Sequence, residues 1–422
     1  MVDHASDSRS ARRALIILTA INMLNYVDRY LVPPLVPDLE RVMGLTHEQV
    51  GWLWPAFMLV YMVTAPVFGA LGDRGSRTRP IAIGVFVWSI ATVLSGFARN
   101  YHELFAARAL VGVGEAAYVA IAPALLADCF PVNARGRVFA ILNMAIPVGA
   151  ALGYVLGGVI GQHVGWREAF FVCGAPGVVL AAAVLWLRDP PRGAQEQSAS
   201  PRRGATASVG GVRAALAVYL SLLRRGPYML LVLGYAAYTF ALGGLGFWMP
   251  SFLERVRGIP AEKATTGFGA IVVVTGVLGT FAGGWLGDYC LKRSPQGYLW
   301  FSGVVTLAAA PLALLSLTAP LPHVYYPAIV AAELLLFMST GPINAAIVNI
   351  VSPLERASAI ALSMFAIHLL GDVPSPPLIG HLSDSGSLGR AVLIVPVAIA
   401  IGGIVWLVCA RVNEHARLPA AA

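Results

Sequence analysis

Charge is what this sequence has least of: Asp, Glu, Lys and Arg make up 12% of its 422 residues, where soluble globular domains carry about 25%. So little charge beside 58% hydrophobic residues excludes an ordinary soluble fold and places the chain in a bilayer. Cysteine is sparse as well. Cys129, Cys173, Cys290 and Cys409 lie in or at the edges of apolar segments without metal-ligand or redox spacing, so they read as small core residues. No His-rich metal cluster, no pairing of nucleophile with base and no Gly-x-x-x-x-Gly-Lys-Ser/Thr loop occurs. That argues against an enzyme and against work driven by ATP, and no metal or cofactor is expected.

What is present is a series of apolar runs of about twenty residues, the length a helix needs to cross roughly 30 Å of hydrocarbon. Read between polar breaks, they predict helices near 14–36, 47–71, 80–98, 103–129, 138–161 and 166–187, then 227–253, 263–287, 297–318, 324–350, 357–380 and 388–410. The first follows Arg9, Arg12 and Arg13 as a secretory signal would. It is too long for one and lacks a small-residue cleavage site, so it reads as a retained helix. The break from Arg188 to Arg225 is rich in Pro, Gly, Ser, Gln and Arg, the composition of a flexible linker. Its end, VRAALAVYLSLLRR, suits a short amphipathic helix at the membrane surface.

The expected fold class is therefore an all-α membrane protein of twelve transmembrane helices in two pseudo-symmetric six-helix bundles. The expected domains are 1–190, a cytoplasmic linker 191–225, and 226–422. With both termini inside, the cytoplasmic side collects 20 Lys and Arg residues against seven outside, which sets the topology. The net charge of +8 is mostly this loop bias, and a nucleic-acid partner has little support.

The halves also share a motif. GALGDRGSRTR (Gly69 to Arg79) follows the second helix and GWLGDYCLKR (Gly284 to Arg293) the eighth, so Gly-x-Leu-Gly-Asp recurs at an offset of 215 residues. GHLSD (Gly380 to Asp384) is a weaker echo at the end of helix eleven. A six-helix repeat joined by a linker is the architecture of a transporter whose halves rock about a site near the midplane. In the motif, Asp73 can cap a neighbouring helix or pair with an arginine, as a clamp on the cytoplasmic gate. Its glycines permit close helix approach. A generic positive-inside loop accounts for Arg74, Arg77 and Arg79 but not for the repeat.

Helix one carries the segment NMLNYVDRYL (Asn22 to Leu31), with Asp28 and Arg29 side by side about fourteen residues into a helix of some twenty-three. A lone charge at that depth costs at least roughly 2.5–3.5 kcal/mol, so such residues pair, face a cavity or mark a transport path. Asn22, Asn25, Asp28 and Arg29 form one polar flank. Adjacent helical residues point about 100° apart, so Asp28 and Arg29 reach different neighbours. The nearest candidates are Arg108 and Glu115 in helix four, seven residues apart on one face, with Gly112 between them leaving room for a helix or a ligand.

Helix ten holds a lone acid, Glu333. Helix eleven holds His368 and Asp372 in a segment broken by Pro374, Pro376 and Pro377, where a kink would free carbonyls into a cavity. A carboxylate next to a movable arginine is a proton-coupling device; alternatively the four helix-one and helix-four charges neutralise each other and pin the bundle. Tyr26, Tyr61, Tyr118, Tyr235 and Tyr238 line a cavity or sit in interfacial belts, two readings that sequence leaves open.

The GxLxDR loop with its trailing basic residues resembles the signature of the major facilitator superfamily. NYVDRY, GALGDR, RALVGVGEAAYVAIAPALLAD and HLLGDVPSPPLIGHLSD, with Glu333, resemble its spinster branch from about Asn22 to Asp384. Ser76 stands where the superfamily often has Gly or Asn. Organic-anion:proton symporters share the helix-one and helix-four motifs, and the Pro-rich helix eleven favours spinster.

The resemblance implies a multi-pass protein of the plasma membrane working by alternating access. It implies Asp28 and Glu115 as protonation sites, with Arg29, Arg108, Glu333, Tyr118, Asn25 and His368 as substrate contacts or charge partners. Gly69, Gly72, Asp73, Arg74, Arg77 and Asp288 would form the gating motif. The implied partners are protons, the bilayer and an amphiphilic anion such as a lysophospholipid or sphingolipid. Small organic anions, or drugs exchanged for protons, are the alternatives. Two complete halves make a functional monomer the default.

Overall fold

The structure, a computed structural model, describes residues 3–192, 218–351 and 355–415. Among the described residues, twelve helical spans are long and apolar enough to cross a membrane. The first six contain α1 (Asp3–Arg29), α2 (Leu53–Arg74), α3 (Thr78–Phe97), α4 (Tyr101–Cys129), α5 (Val132–His163) and α6 (Trp166–Leu185). The next four are α7 (Gly226–Arg255), α8 (Ala261–Arg293), α9 (Gly297–Thr318) and α10 (Pro322–Ile350). Helix α11 (Arg356–Ile367) passes through a π-helical turn at His368–Asp372 and resumes at Ser375–Asp384, and α12 (Ile394–His415) ends the series. Residues 218–223 are helical; the rest of the expected surface helix, with linker residues 193–217, lies outside the described residues.

The first span departs from the continuous helix expected over 14–36. Helix α1 stops at Arg29, Pro33–Leu35 winds as a 3-10 turn, and a short helix resumes at Val36–Met43. The cause is local, because Pro33 and Pro34 have no N–H to continue the ladder and disfavour helical geometry before them. Gly44, at φ +66°, ends the span in the left-handed conformation that glycine tolerates. Asp28 and Arg29 thus close a helix instead of interrupting one. Arg29 there meets the negative end of the α1 dipole.

By its contacts the chain divides into two units, Met1–Gly204 with Ile259–Gly269, and Ala205–Gly258 with Ala270–Ala422. In the first, α2 packs on α4, α3 on α4 and α6, and α1 on α5. This unit includes the first turns of α8, where Phe268 meets Tyr154 edge-on at 5.4 Å. In the second, α9 packs on α10 and α12, and α7 on α12 and on the π turn. The pairing of helix three with four and six recurs as nine with ten and twelve, so the repeat seen in motifs is also a repeat of packing.

Glycines set the closeness of these seams. A methyl group on Gly112 would lie 2.2 Å from the Phe57 carbonyl of α2, and one on Gly114 would lie 2.4 Å from the Gly84 carbonyl of α3. In the second unit a methyl on Gly283 of α8 would lie 2.0 Å from the Met338 carbonyl of α10. Backbone cannot yield as a side-chain tip can, and helices in lipid rely on such close packing for their association. The room at Gly112 therefore belongs to a helix, α2. Among the motif glycines, Gly72 and Gly287 sit at crossings against Ile121 and Pro342, whereas Gly69 and Gly284 face open space.

Gly114→Ala and Gly283→Ala are therefore expected to destabilise the protein by about 1–3 kcal/mol, while Gly69→Ala and Gly284→Ala leave it unchanged. Thermal melting of the four variants in detergent checks this; equal melting temperatures across the set would rule out the glycine seams.

Candidate functional site

Four buried charges meet inside the first unit, and they pair crosswise. Arg108 of α4 donates from Nη1 to Asp28 Oδ1 at 3.2 Å and from Nη2 to the Asp28 carbonyl at 3.3 Å. Arg29 donates from Nε to Glu115 Oε2 at 2.8 Å, and its Nη2 lies 2.7 Å from the same oxygen as an ion pair. The second Asp28 oxygen accepts from Thr92 of α3 at 2.8 Å. Asp28, Arg108 and Glu115 are each no more than 1% exposed. The partners on α4 are two turns apart, about 10 Å along the axis. Asp28 and Arg29, adjacent on α1, therefore meet partners at two levels of α4.

The broken helix makes this possible. Where α1 ends, the Asp28 carbonyl accepts the Leu31 N–H in a tighter turn at 3.4 Å and takes a second donor from Arg108. Three rings surround the other arginine. The Arg29 guanidinium carbon lies 5.2 Å from the Tyr26 ring, 5.3 Å from Phe57 and 5.4 Å from Tyr61, within cation–π range of all three. Phe57 and Tyr61 are one turn apart on α2, at the seam that Gly112 opens. Asn25 is fully buried and reaches the Glu115 carboxylate, while Arg108 Nε is unpartnered. Tyr118, one turn beyond Glu115, donates to the Leu18 carbonyl at 2.7 Å and meets Trp88 edge-on.

The structure thus gathers Asn25, Asp28, Arg29, Arg108, Glu115 and Tyr118 in one interior. Sequence reasoning missed Thr92 and Phe57. For Phe57 a signal existed, since it stands four residues before Tyr61 and so on the same face of helix two. Nothing in VWSIATVLSG singles out Thr92 over the other hydroxyls of its helix.

The residues expected in the second half occupy other places. Glu333 is 4% exposed and carries no hydrogen bond or ion pair among the described residues. His368 pairs with Asp372 within its own π turn, Nδ1 lying 3.0 Å from both carboxylate oxygens. The kink frees carbonyls as expected, but into α7 and not into a cavity. Thr239 donates to the Ile367 carbonyl at 3.0 Å and Trp248 Nε1 to that of Pro376 at 2.9 Å. Tyr235 and Tyr238 cluster with Trp406 in the interior, and the Tyr238 hydroxyl donates to the Leu336 carbonyl. Tyr118, Tyr235 and Tyr238 are buried, and Tyr26 and Tyr61 are half-buried beside Arg29.

In the motif loop, Arg77 is the organising residue. Its backbone N–H and Nε donate to the two oxygens of Asp189, each at 2.7 Å, and its Nη1 donates to Asp128 at the end of α4. Its Nη2 reaches the Pro190 carbonyl, and Arg192 donates to the carbonyls of Gly72 and Gly75. The side chains of Asp73 and Arg74 lie outside the described residues. In the repeat, Asp288 accepts from the Tyr298 hydroxyl at 2.7 Å.

Residues 18–376 match the Major Facilitator Superfamily. The sphingosine-1-phosphate transporter SPNS2 of Danio rerio is 32% identical over 447 aligned positions, covering 96% of this chain and 87% of that protein. Protein spinster homolog 1 of Homo sapiens is 36% identical over 395 positions, covering 88% of this chain and 73% of that protein. The crystal structure of a bacterial homologue of the human lysosomal transporter Spinster, 23% identical, superposes with a TM-score of 0.86 over 98% of this chain and 99% of that one. Sequence likeness across most of both chains and a shared fold agree: this chain is a multi-pass membrane transporter of the major facilitator superfamily, and within it a member of the spinster family.

Proposed function

We propose that this transporter couples the movement of an amphiphilic anion, a lysophospholipid or sphingolipid-like molecule, to protons, by alternating access. The observation that carries the reading is the crossed quartet: Glu115 has its charge-balancing partner in Arg29 alone, and Arg29 is held by three rings beside it. A headgroup phosphate and Glu115 compete for the same guanidinium. Its planar fork suits both, and its charge is permanent. A proton on Glu115 releases Arg29, and the freed guanidinium binds the anion; loss of the anion returns Arg29 to the carboxylate as the proton leaves. Asp28 and Arg108 form the second such pair, anchored by Thr92.

The lipid assignment draws on relatives named as sphingosine-1-phosphate transporters. Asn25, Tyr118, Glu333 and His368 serve as accessory contacts. Arg77, tied to Asp128 and Asp189, is the centre of a gate clamp to which Gly69, Gly72, Asp73, Arg74 and, in the repeat, Asp288 belong. The charge bias of the loops favours both termini in the cytoplasm, and the plasma membrane is the proposed location. It works as a monomer.

Proteoliposomes test the reading. Under an imposed pH gradient, sphingosine 1-phosphate or a lysophospholipid is expected to move and gluconate not, and Asp28→Asn and Glu115→Gln should each lower gradient-driven transport at least about tenfold, equivalent to ~1.4 kcal/mol. Full gradient dependence in both variants would end the coupling assignment. Movement of gluconate alone would end the lipid assignment.

The quartet also makes a stability prediction. Arg108→Leu leaves the buried Asp28 charge uncompensated and should cost roughly 3–5 kcal/mol, whereas Asp28→Leu with Arg108→Leu should recover much of that loss. Thermal melting of the single and double variants reads the difference.

A further inference from the structure

Phe57 lies against both arginines of the quartet, its ring centroid 5.3 Å from the Arg29 guanidinium carbon and 5.9 Å from that of Arg108. It is also the first of five rings in contact. Trp54, three residues earlier on α2, meets Phe57 at 5.4 Å between centroids and meets Tyr30, just past the end of α1, at 5.4 Å. Tyr30 meets Tyr154 of α5 at 5.3 Å, and Tyr154 meets Phe268 of α8 at 5.4 Å. The four pairs are inclined at 77°, 67°, 51° and 79°, the edge-to-face and tilted arrangements that aromatic rings favour. Phe57, Trp54, Tyr154 and Phe268 are buried and Tyr30 is half-buried. One chain of rings thus runs from the quartet to the first turns of α8, wholly inside the first unit.

Glycines hold this chain tight along its length. Gly112 seats the Phe57 backbone on α4, and a methyl group on Gly153 of α5 would lie 2.6 Å from the Val27 carbonyl and 2.9 Å from Tyr30 Cβ, so α1 is drawn onto α5 where Tyr30 meets Tyr154. At its far end the chain enters a seam between α5 and the start of α8. There a methyl on Gly158 would lie 2.0 Å from Thr265 Oγ1, one on Gly269 would lie 3.1 Å from Tyr154 Cβ, and His163 Nε2 stands 3.2 Å from Glu262 Oε2. By its contacts α8 belongs to the first unit up to Gly269 and to the second from Ala270 onward. A single helix is therefore shared, and rocking of the second unit loads this seam.

We propose that the five rings couple the quartet to this seam. With Arg29 on Glu115, Phe57 packs against two cations, the chain is closed and the first turns of α8 stay clasped to α5. When Arg29 leaves Glu115, Phe57 loses one of its two cations, the rings repack and the clasp opens. Packed interiors move between discrete arrangements instead of deforming smoothly, so a displacement at one end of such a chain reaches the other. The seam is the two-state element that such coupling requires. Trp54 and Tyr30 act only through their neighbours and are positioning residues. The inference rests on release of Arg29 from Glu115 being a step of the transport cycle, as proposed above.

Spin labels across the seam test this in the full chain in nanodiscs. His163 and Glu262 are both exposed, so nitroxides on His163→Cys and Glu262→Cys, with the four native cysteines replaced by alanine, report the clasped fraction by dipolar broadening. Glu115→Gln stands in for the protonated carboxyl and should lower the ratio of clasped to open molecules about tenfold, within the roughly 5–150-fold range of such couplings. In a Trp54→Leu background, which breaks the chain two rings short of α8, the same change should shift the ratio by less than about twofold, and Trp54→Phe should restore the response. A full shift that persists in Trp54→Leu overturns the ring chain; Tyr30→Leu makes the same break if Trp54→Leu fails to fold. Gradient-driven transport by Glu115→Gln separates this inference from the one beneath it. Loss of that transport with an unchanged ratio overturns the ring chain and leaves the coupling intact, whereas full gradient-driven transport ends the coupling and the chain's part in it.

Discussion

Everything at the centre of this protein follows from one constraint: two arginines and two carboxylates are buried together inside the first unit, and none can be left alone. A single unpaired charge there is costly, and a pair survives only with good geometry and further hydrogen bonds. The crossed arrangement supplies both. Asp28 receives two side-chain donors, from Arg108 and Thr92, and Glu115 is met by Nε and Nη2 of Arg29. Each carboxylate lies against a different arginine, so either pair can open while the other holds. A pairing of Asp28 with its own neighbour Arg29 would have offered no such independence.

Backbone and packing serve that constraint. The prolines at 33 and 34 end α1 at Arg29, which puts a helix terminus among the charges, where the Asp28 carbonyl takes Arg108 as a second donor. Gly112 draws α2 against α4 so closely that Phe57 and Tyr61 come to flank Arg29. A larger residue at 112 would push α2 away and take two of the three rings with it. A glycine that reads as a structural convenience is therefore part of how the site is walled.

Much of this was legible in the sequence, and the parts that were not share a cause. Twelve apolar runs, the six-and-six division and the divergence of Asp28 from Arg29 come from spacing along single helices, where periodicity is a direct record of geometry. The break after Arg29 was readable too, because Pro33 and Pro34 stand in plain view, but a hydropathy window averages across them. Thr92, Phe57 and the partners of Arg77 were hidden. Asp128 and Asp189 stand 51 and 112 residues from Arg77, and nothing in a one-dimensional pattern says which loop-end acids converge on one guanidinium. The motif drew attention to Asp73, whereas the densest bonding in that loop belongs to Arg77. His368 is a similar case: the prolines marked the kink, but Thr239 and Trp248, which satisfy it, lie on another helix.

The two units repeat each other in packing but not in charge. Helix three with four and six is matched by nine with ten and twelve, and glycine seams occur in both. Yet the crossed quartet exists only in the first unit among the described residues. The second has a His368–Asp372 pair closed within one turn, a partly exposed Arg225–Glu355 pair at the starts of α7 and α11, and a solitary Glu333. If fully buried ion pairs were needed merely to hold six helices together, both units would be expected to carry them, since both face the same packing problem. The second unit packs on glycines, aromatic clusters and side-chain-to-carbonyl hydrogen bonds instead. Burying four charges is costly, and the second unit packs without such a quartet, which supports the functional reading proposed for them.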